Sequence, residues 1–207
     1  MYFPLADVIA LLGINLVLCA VCLRVLEGKP TAEGPTRRWT TWFIAALFLA
    51  LWLPAGTAHL PLVAYVRGIS ADPSVTLVTL AALFLFEKFS GDRAMDRRER
   101  MPAWAAIAAS ALFLYPSALG WGDWDSYRQG WSAGALWVVL LCVSGVCWFA
   151  GWRLLPALVA TALLAWTAGL LESRNLWDYL LDPWLAIYAT AQCVKAGVLK
   201  FLRMATS

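Results

Sequence analysis

The polar residues able to do chemistry in this chain lie in short stretches between long apolar runs. Residues 120–131, with the sequence GWGDWDSYRQGW, hold two aspartates, a tyrosine, an arginine and three tryptophans. Arginine presents a planar fork that fits a carboxylate or a phosphate, and tyrosine or tryptophan adds a stacking surface and a hydrogen-bond donor. Such a stretch is suited to holding an anionic group.

Three arginines share this setting, each near a tyrosine and next to the end of an apolar run. They predict one surface that binds a ligand or a partner, formed by Arg67, Asp123, Asp125, Tyr127, Arg128, Arg174, Trp177, Asp178 and Tyr179. The alternative is that the arginines pair with aspartates, Asp72 among them, and tie loops together. The tryptophans would then lie at the membrane–water interface, where their amphipathic rings belong.

A competing hypothesis makes the same region catalytic. The candidate acids, bases or nucleophiles are His59, Asp123, Asp125 and Glu172. His59 is the only histidine, and histidine changes charge near neutral pH without perturbation. No Gly-x-Ser-x-Gly elbow, His-Glu-x-x-His motif or phosphate-binding glycine loop accompanies these residues. The sequence therefore favours a role other than catalysis.

Metal, redox and cofactor chemistry are not predicted. Asp123 and Asp125 have Asp-x-Asp spacing, but a hard cation such as calcium takes about six to eight oxygen ligands. Of the 5 cysteines, Cys19 and Cys22 have dithiol spacing, yet they lie inside the first apolar run and are typical of small packing residues. We expect no metal, no cofactor and no nucleic-acid partner.

The composition predicts an integral membrane protein. Hydrophobic residues make up 62% of the 207 positions and charged residues 14%, against about 45–50% and about 25% in soluble domains. The mean hydropathy is +0.70. A chain of this length leaves no room for a separate soluble domain of about 100 residues. We therefore expect residues 1–207 to form a single polytopic transmembrane domain.

Apolar runs long enough to cross about 30 Å of hydrocarbon predict an all-α bundle of about seven transmembrane helices. The predicted spans are 4–26, 39–60, 73–89, 102–119, 131–151, 154–172 and 183–202. Three of them begin at a proline, and an aspartate suited to capping precedes Pro73 and Pro183. Pro54, Gly56 and Pro61 interrupt the second span. Six crossings would result if that segment stops early and re-enters the membrane.

The lysines and arginines predict the orientation of these spans. Alternating the loops between two sides puts Arg67, Arg128 and Arg174 on one side and the rest of the 16 basic residues on the other. Basic residues gather on the cytoplasmic side of membrane proteins. The amino terminus is therefore predicted outside and the carboxyl terminus in the cytoplasm. The acidic and basic run from Glu87 to Arg100 is predicted to be a solvated cytoplasmic loop or helix end.

These patterns lead to one main functional hypothesis. The chain is predicted to be a small inner-membrane protein of a bacterium, because its composition is rich in Ala, Leu and Trp and poor in Lys. Its outward-facing loops are expected to bind either a protein partner in the membrane or periplasm or the headgroup of an envelope lipid or glycolipid, as an accessory or assembly subunit. Membrane lipids are expected partners as well. An enzyme acting on a lipid-linked substrate is the alternative. A solute transporter ranks third, because the spans carry almost no internal ionisable residues.

Overall fold

The structure is a computed structural model that describes residues 5–27, 38–132 and 134–205. Helices account for 77% of the described residues. Only two very short strands are found there, Pro54–Ala55 (β1) and Leu60–Pro61 (β2), which pair antiparallel with Ala55 opposite Leu60. The predicted all-α class is therefore confirmed for the described part of the chain.

Nine α-helices and one short 3₁₀ helix are described, and their order follows the apolar runs. The α-helices are α1 Leu5–Glu27, α2 Arg38–Ala50, α3 Leu62–Ser70, α4 Val75–Ser90, α5 Arg97–Ala118, α6 Ala135–Phe149, α7 Leu154–Thr167, α8 Leu176–Leu180 and α9 Pro183–Ala205. The 3₁₀ helix covers Ser126–Trp131, between α5 and α6.

Three of these helices are long and apolar enough to cross a membrane: α1, α5 and α9. These three helices support the transmembrane character that the composition predicts. A helix also lies in each of the other four predicted spans, but α2, α4, α6 and α7 have 13 to 16 residues each. At about 1.5 Å per residue they measure about 20–24 Å, less than the hydrocarbon core of a typical bilayer.

The second predicted span, 39–60, is not one continuous helix. Helix α2 ends at Ala50, and a hairpin follows in which Gly56 has φ 65° and His59 has φ 49°. A side-chain hydrogen bond stabilises the hairpin: Tyr65 Oη donates to the carbonyl of Ala55 at 2.8 Å. Pro54 prevents the helix from continuing, because proline has no N–H to donate to the carbonyl of Ala50. After the hairpin turn, the chain forms β2 and continues directly as α3.

Two of the three predicted helix starts are wrong. Helix α4 begins at Val75 and not at Pro73, because the Ser74 hydroxyl accepts from the N–H of Leu77 at 3.1 Å. Helix α5 begins at Arg97, ahead of Pro102, and its cap is Asp96. The third start is as expected: α9 begins at Pro183, and Asp182 accepts from the N–H of Leu185 at 2.9 Å.

The core is built mainly by α5 and α9, which pack along each other, and by α7, which packs against α5 and also against α4 and α8. Close packing there uses small side chains on facing helices: Ala103, Ala108 and Ala111 on α5, Ala162 on α7, and Ala186 and Ala189 on α9. Small residues let helix backbones approach closely, which is how helices associate in lipid. By contrast, α6 leaves most of its apolar surface exposed.

Contacts at one end of the bundle, the Glu99 end, tie four helices together. Glu99 is buried and accepts from the backbone N–H of Arg153 at 2.7 Å and of Leu154 at 2.5 Å, so it holds the start of α7. Lys88 pairs with Glu27 at 2.6 Å. Glu87 accepts from Arg100 at 2.8 Å and from the N–H of Met95. Glu87 and Glu99 are therefore structural links, contrary to the expectation of a merely solvated run.

Candidate functional site

The opposite end of the bundle, called the Arg67 end, contains most of the residues predicted from the sequence to bind a ligand or a partner. There Asp178 of α8 accepts from two hydroxyl groups on different segments. Tyr127 Oη donates to it at 2.9 Å and Ser173 Oγ at 2.5 Å. Tyr127 belongs to the 3₁₀ helix, so the carboxylate joins the segment between α5 and α6 to the segment between α7 and α9. Tyr127, Ser173, Asn175, Trp177, Asp178 and Tyr179 are called the Asp178 network below.

Backbone contacts strengthen the same junction. The Asn175 amide donates to the carbonyl of Tyr127 at 3.0 Å, and the Trp177 indole donates to the carbonyl of Ser126 at 3.1 Å. Gly130 allows this close approach, because a Cβ there would lie 1.8 Å from Asn175 Oδ1. Asn175 and Ser126 have no exposed surface and Trp177 is buried. The two segments therefore form one packed unit.

Tyr179 closes the network from the side of α7. Its hydroxyl donates to the carbonyls of Ser173 at 3.0 Å and Leu171 at 3.2 Å, and accepts from the N–H of Leu171 at 3.1 Å. Burial raises the pKa of Tyr179 above its ordinary value. Burial, followed by the hydrogen bond to Asp178, raises the pKa of Tyr127 to about 12. Both tyrosines are therefore neutral donors at physiological pH.

Two of the three arginines predicted to bind a ligand or a partner, Arg128 and Arg174, belong to these two segments. Arg128 directly follows Tyr127 and Arg174 directly follows Ser173, the two residues that donate to Asp178. Both arginines are exposed, and neither forms a side-chain hydrogen bond or an ion pair with any residue in the described ranges. The predicted pairing with Asp123, Asp125 or Asp178 is therefore absent for these two residues in that part of the chain.

The selected aspartates before the 3₁₀ helix have different surroundings. Asp125 is the cap of this helix and accepts from the N–H of Tyr127 at 2.9 Å. Asp123 is exposed. Three large aromatic side chains surround these residues in sequence and are also exposed: Trp121 by 79%, Trp124 by 56% and Trp131 by 57%. This surface therefore combines the guanidinium groups of Arg128 and Arg174 and the carboxylate of Asp123 with exposed aromatic groups.

The third arginine, Arg67, lies in a separate group of charges. It pairs with Asp72 through two hydrogen bonds of 2.5 and 3.1 Å, with Asp7 at 2.7 Å and with Glu172 at 3.1 Å. Hydrogen bonding to Asp72 is the largest of the effects that raise the pKa of Arg67 above its ordinary value. The predicted pairing of Arg67 with Asp72 is present. Asp7, Arg67, Asp72 and Glu172 are called the Arg67 cluster below.

The four catalytic candidates are not brought together. His59 is exposed in the hairpin, Asp123 is exposed, Asp125 caps the 3₁₀ helix and Glu172 belongs to the Arg67 cluster. No hydrogen bond or ion pair links any two of them within the described ranges. Over these ranges, no group of three or more His, Cys, Asp or Glu residues has the arrangement of a metal site.

Sequence reasoning missed several residues that build this end of the bundle. Asp7 joins the Arg67 cluster although it is distant in sequence from Arg67. Asp182 is buried and, besides capping α9, accepts from the Ser74 N–H at 2.9 Å and the Ser74 hydroxyl at 2.5 Å. The hydroxyls of Ser117 and Ser126 form a short hydrogen bond. A lone serine carries no periodic pattern, so its partner cannot be read from spacing.

Comparison with known proteins gives no relative for this chain: no family model, no curated protein and no solved structure matches it.

Proposed function

We propose that this chain is a protein of a bacterial inner membrane with about seven transmembrane helices and with its amino terminus outside. The alternation of helix ends supports the proposal. The starts of α1, α4 and α9 and the end of α5 meet at the Arg67 end, whereas the ends of α1 and α4 and the starts of α5 and α7 meet at the Glu99 end. Apolar residues beyond two of the four short helices, such as Leu51 after α2 and Leu170 after α7, lengthen the apolar path there.

On this orientation the Arg67 end faces outward, and we propose that it binds the anionic headgroup of an envelope lipid or glycolipid. The observation that carries the proposal is the pair of exposed guanidinium groups, Arg128 and Arg174. They lie on two segments joined by Asp178 and have no carboxylate partner in the described ranges. A guanidinium binds phosphate by charge-assisted hydrogen bonds.

The surroundings of the two arginines agree with a ligand at the membrane surface. Trp121, Trp124 and Trp131 are exposed, and tryptophan is enriched at the level of lipid headgroups. The Asp178 network below them is packed and hydrogen bonded, so binding would not have to order it. A partner protein with an acidic loop is the other occupant that suits this surface.

The test compares the double substitution R128Q/R174Q with R38Q/R98Q. The control removes two exposed arginines from the starts of α2 and α5, so the change in net charge is the same. Each protein is placed in nanodiscs of phosphatidylcholine and phosphatidylglycerol, and the retained lipids are counted by native mass spectrometry. We expect R128Q/R174Q to retain at least about tenfold less phosphatidylglycerol, since a hydrogen bond to a charged group contributes about 1.5–3 kcal/mol.

Two outcomes would contradict the proposal. Equal retention by both double variants would show that the headgroup is held elsewhere or not selected. R128Q/R174Q could instead keep its phosphatidylglycerol but lose a stoichiometric protein that copurifies with the wild type from the native membrane. In that case the surface binds a partner protein and not a lipid, and this chain is an accessory subunit.

A further inference from the structure

A cavity of about 180 Å³ lies between α1, α4 and the end of α7, and its lining is apolar. Ile9 and Gly13 contribute from α1, Pro73 and Val78 from α4 and its approach, and Ala165 and Leu171 from α7 and the residues that follow it. An engineered apolar cavity of about 150 Å³ stays dry and binds benzene, which shows what an apolar lining of this kind accepts. Water is therefore a poor occupant, and a short length of hydrocarbon chain fits.

The Arg67 cluster stands beside this cavity, because its three acids adjoin lining residues in sequence. Asp7 precedes Ile9 by two residues, Asp72 precedes Pro73, and Glu172 follows Leu171. Arg67 holds all three carboxylates at 2.5 to 3.1 Å. The cavity thus has an apolar interior and a charged margin, which is the pattern of a site for an amphipathic molecule.

The charge of this margin selects the kind of headgroup. Three carboxylates surround one guanidinium, so the formal net charge is −2, and an anionic headgroup would be repelled. Asp72 uses both of its oxygens on Arg67. Asp7 and Glu172 each use one oxygen, and their second oxygens accept no hydrogen bond from the described residues. Glu172 is also 66% exposed.

We propose that this cavity binds one acyl chain of a lipid whose headgroup carries a protonated amine, with the amine held by Asp7 and Glu172. An ammonium group has three donors and no acceptor, which suits carboxylate oxygens that still have accepting capacity. The site is distinct from the Arg128 and Arg174 surface, because its charge has the opposite sign. The proposal for the cavity does not depend on which ligand binds at the Arg128 and Arg174 surface.

The experiment presents the full-length protein in nanodiscs with a mixture of phosphatidylethanolamine, phosphatidylcholine and phosphatidylglycerol, and counts retained lipids by native mass spectrometry. Phosphatidylcholine keeps the positive nitrogen but has no N–H donor. We expect the wild-type protein to retain phosphatidylethanolamine about tenfold over phosphatidylcholine, because charge-assisted hydrogen bonds are formed only by the former.

Two substitutions separate the cavity from its margin. Ile9→Trp fills the cavity and is expected to abolish the retention, whereas Leu12→Trp, one turn along α1 and outside the lining, leaves it unchanged. Glu172→Gln changes an exposed side chain and leaves the core intact. It is expected to lower the preference for phosphatidylethanolamine over phosphatidylcholine at least about threefold, since one charged acceptor is lost.

The proposal is overturned if the wild-type protein holds the three lipids equally, or if Glu172→Gln keeps the full preference. Retention by Ile9→Trp equal to that of Leu12→Trp would also overturn it. If Ile9→Trp fails to fold, Glu172→Gln still decides the question. Loss of phosphatidylglycerol in R128Q/R174Q is a separate result, so the two binding proposals can fail independently.

Discussion

At the scale of single residues, Asp178 is the acceptor that joins the two segments carrying the candidate ligand-binding arginines. Tyr127, Trp177, Asp178 and Tyr179 are selected from the sequence alone, and the structure brings all four into one hydrogen-bonded unit. The same sequence pattern groups Arg67 with them, yet Arg67 has its own carboxylates. The sequence indicates that charges of both signs are near a helix end, but not which pairs form.

Replacing Tyr127 by phenylalanine tests the Asp178 junction. The variant loses the hydrogen bond to a partly exposed carboxylate, and we expect the free energy of unfolding to fall by about 1–2 kcal/mol at neutral pH. Unfolding by heat in mild detergent, followed by tryptophan fluorescence, measures this loss. Tyr65→Phe is the control, because its hydroxyl donates to the uncharged carbonyl of Ala55 and the expected loss is smaller.

Wild type and Tyr127→Phe should also differ in their pH dependence. The pKa of Tyr127 is raised from 10.0 to about 12 in the folded chain. A raised pKa means that the contribution of the neutral hydroxyl is fully present below about pH 10 and is lost as the pH rises through about 12. The stability difference between the two proteins should therefore shrink over that interval. A difference that stays constant to about pH 12 would mean that folding does not raise the pKa of Tyr127.

At the scale of elements, the starts of α4 and α9 are coupled by one buried carboxylate. Proline patterns predicted that Asp182 caps α9, and this is found. They did not predict that the same side chain holds Ser74, because a contact between residues 108 positions apart leaves no local pattern. The second predicted span is longer than α2 for a different reason: its apolar composition continues past Ala50, although Pro54 prevents the helix from doing so.

Substituting Asp182 by alanine should therefore cost more than losing an ordinary helix cap. The cap contributes about 1 kcal/mol, and leaving the buried N–H and hydroxyl of Ser74 without an acceptor adds about 1–3 kcal/mol. Asp96→Ala removes the cap of α5 at an exposed position and should cost only about 1 kcal/mol. Equal losses, measured by thermal unfolding, would mean that Asp182 does not couple the two helices.

At the scale of the whole molecule, the arrangement of helix ends agrees with the division of basic residues on which the proposed orientation rests. Arg67, Arg128 and Arg174 all lie at the Arg67 end, while Arg100, Arg153 and Lys88 lie at the Glu99 end. Apolar run length predicted where helices lie, because helices are the way to satisfy backbone groups in lipid. The length of an apolar run predicted the length of its helix less well, since apolar loop residues next to several helices make the run longer than the helix.

Labelling of single cysteines tests this orientation. In a background without the five native cysteines, Ser132→Cys near the Arg67 end and Ser90→Cys near the Glu99 end are both at exposed positions. A membrane-impermeant maleimide should label Ser132→Cys in intact spheroplasts and Ser90→Cys only after lysis. The reverse pattern would show that the orientation in the membrane is opposite to the one proposed. Labelling of both before lysis would exclude an odd number of crossings between them.

The bond between Ser74 and Asp182 also sets an order of events during synthesis. A ribosome adding about 5–20 residues per second needs about 5 to 20 s to proceed from one residue to the other. Throughout that interval, the N–H and hydroxyl of Ser74 have not yet met the carboxylate that holds them in the finished protein. The start of α4 is therefore completed only when the last helix arrives, and a nascent chain that stalls before residue 182 leaves this end of the bundle open.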